Sequence, residues 1–178
     1  TNLEEVSYLF NLRDFSKNYS SKIRGKAVIL NGRARLLDEI DDFVESYNGN
    51  IYVDKSCINA YDYRLVGDKL KILQDSPIKL MKSVKTNDEI SHYIDSFKRT
   101  DMAVKAIREY IENNDNISEY DIAVQLEKEF KRFGAKSLSF KSIVAKDKNS
   151  ALAHYSKCTK DEILTDGSLV LIDCGAYY

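Results

Sequence analysis

Apolar and polar residues fall into two kinds of pattern along the first 75 or so positions. Residues 26–30 (KAVIL), 50–53 and 69–73 are short apolar runs bounded by turn-forming residues, the signature of buried strands. Between them, residues 36–47 (LLDEIDDFVESY) set Leu36, Leu37, Ile40, Phe43, Val44 and Tyr47 on one helical face and predict a helix. Residues 56–65 predict a second, shorter one. The Asn31-Gly32 and Asn48-Gly49 pairs supply turns, since both residue types tolerate positive φ. Residues 3–12 form an apolar segment, strand-like or briefly helical, with nothing before it to pair with, so the chain reads as cut at its first residue. Alternating strands and helices imply an α/β unit.

The single proline, Pro77, cannot donate to a sheet ladder and biases Ser76 toward extended geometry, which places a domain boundary there: 1–76 and 77–178. Beyond it the strongest helical signal begins. Thr86 to Glu89 reads as a capping box, and Ile90, Tyr93, Ile94, Phe97, Val104, Ile107 and Ile111 recur at helical spacing, predicting one long amphipathic helix over 87–113. Ser118 to Asp121 opens another, carrying Ile122, Leu126, Phe130 and Phe133 before Gly134. Residues 137–144 and 169–173 then read as strands, making the second part α+β.

Composition narrows the function classes. Hydrophobic residues make up 43% and charged residues 31% of the 178, a globular balance. With 27 basic and 28 acidic side chains the formal net charge is -1, so no global field draws nucleic acid or anionic lipid. No apolar run approaches the roughly 20 residues of a bilayer span, and the start lacks a signal-peptide layout. A cytoplasmic protein without nucleic-acid or membrane partners is expected. Cys57, Cys158 and Cys174 are far apart and odd in number, as reduced, packing cysteines would be.

Two segments hold the candidate chemistry. Asp173 closes the apolar strand LVLI just before Gly175, where a backbone turn would project its carboxylate from a rigid strand end, as a ligand or as the cap of its own turn. His154 follows a stretch of small and polar residues (Ala145, Asn149, Ser150, Ala151), where a neutral imidazole could donate to a developing oxyanion or could simply be structural. His92 reads as surface or packing. A thiolate of Cys158 or Cys174 paired with His154 is a conceivable nucleophile. There is no glycine-rich phosphate loop, G-x-S-x-G elbow or H-E-x-x-H.

At these same residues the chain resembles the aminopeptidase P, prolidase and creatinase family. The likeness lies in S-F-x-x-I-V-A-x-x-x-N-x-A-x-x-H-Y, here Ser139, Phe140, Ile143, Val144, Ala145, Asn149, Ala151, His154 and Tyr155, followed by L-V-L-I-D-x-G-A-x-Y at 169–178. LEEVSYLFNLR (3–13) and SPIKLMKSVKTNDEI (76–90) resemble segments of the longer, three-domain aminopeptidase P enzymes, with Tyr8 in place of a usual Trp and Asp14 in place of a frequent Gly. The resemblance implies a creatinase-like, non-catalytic α/β domain over 1–76 and the first part of a pita-bread catalytic domain over 77–178. It implies that Asp173 is the first carboxylate ligand of two divalent metal ions, manganese with zinc or cobalt as alternatives. His154 would be the catalytic imidazole that contacts substrate. A further Asp, a His and two Glu would complete the metal shell beyond Tyr178, so this stretch alone would bind no metal pair and hydrolyse nothing. The implied activity is removal of the N-terminal residue from proline-containing peptides with proline second, by a homodimeric enzyme. A non-enzymatic binding protein on the same fold, or a prolidase or creatinase type enzyme, are the alternatives.

Overall fold

Asn31 and Gly32 both take left-handed backbone, with φ of 51° and 72°, the conformation a two-residue hairpin turn demands. They join β1 (Lys26–Leu30) to β2 (Arg33–Leu37) in an antiparallel ladder running from Leu30↔Arg33 to Lys26↔Leu37. This corrects the helix expected over 36–47. Leu36 and Leu37 are strand residues, and α2 is only Asp41–Ser46. The apolar spacing fits a helix, but the hairpin turn commits the backbone through Leu37 to the ladder, so Leu36 and Leu37 cannot join a helix.

The computed structural model describes residues 2–178 and divides them into two units. The first holds residues 2–14 and Lys22–Thr86. Here α1 (Leu3–Phe10) starts at Asn2, whose side chain accepts from the Glu4 amide, and stops at left-handed Asn11. Strands β3 (Ile51–Asp54) and β4 (Leu70–Leu73) pair in parallel. Parallel neighbours need a crossover, supplied by a 3-10 turn at Lys55–Cys57 and α3 (Ala60–Val66). Ser76 caps α4 (Pro77–Ser83), with Pro77 in the first turn, where a missing N–H leaves no helical bond unmade. The Ser76 hydroxyl donates to Glu5 and its amide to Asp54, tying α4 to α1 and β3.

The second unit holds Phe15–Ser21 and Asn87–Tyr178. The long helix α5 (Asn87–Glu112) packs its C-terminal half against α6 (Glu119–Arg132). Ala103, Ile107, Ile122, Leu126, Phe130 and Val144 form the core between the helices and a pair of short ladders. Strand β6 (Ile143–Lys146) pairs antiparallel with β7 (Val170–Asp173), so that Ile143 faces Asp173; β5 (Ser137–Leu138) pairs with β8 (Ala176–Tyr177). The single strand expected over 137–144 is therefore two. The chain changes partner at residues 139–142, leaving β8 for β7.

Candidate functional site

Strand β7 carries the first candidate to its own end. Alternate residues Val170 and Ile172 turn inward while Leu171 and Asp173 are exposed, so the alternation that buries the strand also presents the carboxylate to solvent. No hydrogen bond or ion pair engages that carboxylate among the described residues, and it does not cap a turn through neighbouring amides. The glycine two residues on acts by size. Gly175 has no left-handed φ; a Cβ there would lie 2.6 Å from Ser139 Oγ and 3.1 Å from the Phe140 ring. With no side chain, it lets residues 139–140 cross directly over the strand, and its carbonyl accepts the Ser139 amide at 2.9 Å.

His154 is exposed, as is His92 near the start of α5. Its φ is 55°, a left-handed conformation that disfavours a side chain by about 1–2 kcal/mol and persists where the neighbours fix it. Those neighbours are fixed. Beyond β6 the chain forms a 3-10 turn (Asp147–Ala151), and Asn149 and Tyr155 return to the interior. Both meet the carboxylate of Glu119, itself fully buried at 0%. Glu119 Oε1 accepts from the Lys146 amide at 2.7 Å and Asn149 Nδ2 at 3.0 Å. Oε2 accepts from the Tyr155 hydroxyl at 2.7 Å. Three donors replace the water this carboxylate has lost. Burial, and then the hydrogen bond to Glu119, push the Tyr155 phenol well above its ordinary value, so it stays a donor.

Past Tyr155, Lys141 Nζ donates to the Ser156 carbonyl at 3.2 Å. The segment after His154 thus runs back beside the residues that precede β6, at the ladder end where Ile143 faces Asp173. The two candidate residues share this unit but not a hydrogen bond. Two of the small and polar residues before His154 face inward: Ala145 is fully buried in β6, and the Asn149 amide belongs to Glu119.

Glu119 is the residue that sequence reasoning passed over, as an acidic residue in a helix first turn, where the dipole favours one. A signal was present. Positions 119, 122, 126, 130 and 133 share a helix face, so Glu119 stands on the apolar stripe of Ile122, Leu126 and Phe130.

The cysteine alternative loses its chemistry here. Burial, reinforced by Glu119, pushes the Cys158 thiol up to about 11, and burial with Asp173 nearby also raises Cys174. Neither is a thiolate near neutral pH. For a metal, the Asp173 carboxylate is a hard oxygen donor with no competing partner, which suits one ligand position of a divalent ion. It does not suffice alone: no group of three or more His, Cys, Asp or Glu among the described residues is placed to hold an ion.

Comparison with known proteins locates this geometry. Residues 91–178 match the family described as metallopeptidase family M24. An uncharacterized peptidase of Methanocaldococcus jannaschii is 27% identical over 140 residues, covering 79% of this chain and 39% of its own length. A Xaa-Pro aminopeptidase of Haemophilus influenzae is 28% identical over 134 residues, covering 73% of this chain and 27% of its own. The chain thus spans well under half the length of these relatives. Among solved structures, the X-prolyl aminopeptidase of Caenorhabditis elegans, described as a cytosolic enzyme with a di-nuclear active site, superposes with a TM-score of 0.86 at 17% identity, over 99% of this chain and 35% of that one.

Proposed function

We propose, from the match of residues 91–178 to metallopeptidase family M24, that the protein carrying this chain is a Xaa-Pro aminopeptidase, which removes the N-terminal residue of peptides with proline second. The observation that carries the reading is the unpartnered Asp173 carboxylate at the end of β7, inside the matched stretch. Residues 1–76 are then a creatinase-like, non-catalytic domain that shapes substrate access, and 77–178 contribute the first part of the catalytic domain. The complete enzyme is a cytoplasmic homodimer.

Asp173 holds one position of the metal site, and the rest of its ligands come from outside residues 1–178. Two divalent ions, manganese in this reading, would when bound supply Lewis acidity and lower the pKa of a bound water. What these residues do themselves is orient and donate. Asp173 is fixed by the β6–β7 ladder, and its negative charge would compensate the cations. His154, on its braced turn, offers an imidazole N–H to the oxyanion that develops on the scissile carbonyl. The chain alone is inactive, because one carboxylate cannot hold two cations against water.

A prolidase or creatinase type enzyme, or a binding protein with a dismantled metal centre, uses the same fold. Resemblance of the LFNLR and SPIKLMK segments to the longer enzymes favours aminopeptidase P, and retention of both Asp173 and His154 favours an enzyme. The test is Asp173→Asn and His154→Ala in the complete reading frame. Asp173→Asn should reduce bound manganese and lower turnover to below about a hundredth. His154→Ala should keep the metal and lower kcat by about 100- to 1000-fold. Wild-type turnover from both variants would sink the assignment.

A further inference from the structure

Glu119 lies on α6, 27 to 36 residues from the partners that its side chain binds. It touches neither Asp173 nor His154. Its two oxygens nevertheless reach both ends of one loop. Oε1 takes the amide of Lys146, where β6 ends, together with the side chain of Asn149 in the turn. Oε2 takes the hydroxyl of Tyr155, the residue directly after His154. Asn149 Nδ2 also lies 3.2 Å from the Tyr155 hydroxyl, closing a triangle around the carboxylate. Every member is buried: Glu119 at 0%, Asn149 at 8% and Tyr155 at 9%.

An apolar residue could fill this space without enforcing any particular backbone path. A carboxylate cannot, because an unmade hydrogen bond to a buried charge is costly and all three donors must be aimed at it. Beyond Asp147, which exchanges two hydrogen bonds with Leu169, the loop is thinly held: residues 151–154 are exposed, and His154 keeps a left-handed backbone that it would leave if Tyr155 were released.

We propose that Glu119 is a positioning residue: its buried carboxylate clamps residues 146, 149 and 155 and thereby sets the orientation in which His154 meets the substrate. The last clause rests on the peptidase reading; the clamp does not. Three consequences separate a clamp from a generic contribution to stability. Loss of the carboxylate should loosen residues 146–155 and not the helices. Glu119→Gln should largely restore order, since an amide oxygen still accepts from Lys146 and Asn149 while the amide nitrogen can donate to a Tyr155 hydroxyl that turns to the Lys157 carbonyl, 3.0 Å away. The His154 ring should report the change, with exposed His92, the only other histidine, as an internal reference.

The experiment is amide hydrogen exchange with NMR of the two imidazole rings, on residues 1–178 and on Glu119→Ala, Glu119→Gln and Tyr155→Phe. In Glu119→Ala, exchange at Lys146 and across 149–155 should rise by about 10- to 100-fold, while Ile107 and Leu126 stay within about 2-fold. The His154 ring signals should move to the positions of His92. Glu119→Gln should keep protection at Lys146 and the wild-type His154 signals. Unchanged exchange in Glu119→Ala, or a rise shared equally by the helices, overturns the clamp. If Glu119→Ala fails to fold, Tyr155→Phe decides: it keeps the ring and deletes the donor to Oε2, so faster exchange confined to 152–157 supports the clamp, and wild-type exchange refutes it. Hydrolysis of an Arg-Pro-Pro peptide by the complete reading frame separates the two claims. A protein that cleaves nothing while its loop loosens as described removes the peptidase reading and keeps the clamp. An active enzyme whose Tyr155→Phe variant retains both kcat and loop order removes the clamp alone.

Discussion

A methyl group at Gly175 would collide with Ser139 Oγ at 2.6 Å and press on the Phe140 ring at 3.1 Å. The hydroxyl can rotate; the ring can move only by disturbing the crossing that keeps Ser139 N on the Gly175 carbonyl. Gly175→Ala should therefore destabilise the second unit by about 1–3 kcal/mol, measured by denaturant midpoint, and an unchanged midpoint would mean that residues 139–140 yield freely. Cys158 gives a second residue-scale prediction. With its thiol pushed up to about 11, alkylation by iodoacetamide should be slow at pH 7 and climb steeply between pH 9 and 11, in the range about 9 to 11 bounded by the ordinary and shifted values. Fast labelling at neutral pH would reopen the nucleophile that the raised value closes. Legibility at this scale was uneven. The motif spacing singles out Asn149 and Tyr155, but what they bind lies on a helix thirty residues away, and spacing along one segment carries no information about a partner so distant in sequence.

Among the elements, α6 was readable because its start signal is local. Ser118 accepts the Asp121 amide while Asp121 accepts the Ser118 amide, a capping box within four residues. Ser118→Ala should cost about 1 kcal/mol, up to 2 because the site is fully buried. The same box gives a pH dependence. The Ser118 hydroxyl, then its amide, hold the Asp121 carboxyl below its ordinary value of 3.8. The stability it contributes is complete above that value and is lost as pH falls through the lower folded one. Ser118→Ala should flatten the acid limb of the stability curve, and an acid limb that keeps its slope would assign the transition to other groups. The misread element has an equally physical cause. Leu36 and Leu37 fit the helical apolar pattern of 36–47, yet the Asn31-Gly32 turn folds residues 33–37 back on Lys26–Leu30, and backbone pairing decided between two patterns that the side chains alone left open.

For the whole molecule, the α/β alternation before Pro77 and the helix-then-strand order after it were legible, since each rests on period and punctuation along the chain. The pairing of β5 with β8 and β6 with β7 was not, because partner choice depends on contacts across long sequence separations. Large apolar residues at the front of α5, Ile90, Tyr93, Ile94 and Phe97, are 45–66% exposed, so this helix is amphipathic over more of its length than the described residues cover. The family match over residues 91–178, the exposed Asp173 at the end of β7 and the braced turn at His154 are what the proposed metal-dependent exopeptidase reading rests on. The measurement that tests this most directly is release of the N-terminal arginine from an Arg-Pro-Pro peptide with added manganese, comparing residues 1–178 with the complete reading frame. The account predicts cleavage by the complete protein and none by residues 1–178. Absence of cleavage by the complete protein, with no manganese bound, would contradict it and leave a binding protein on a peptidase fold.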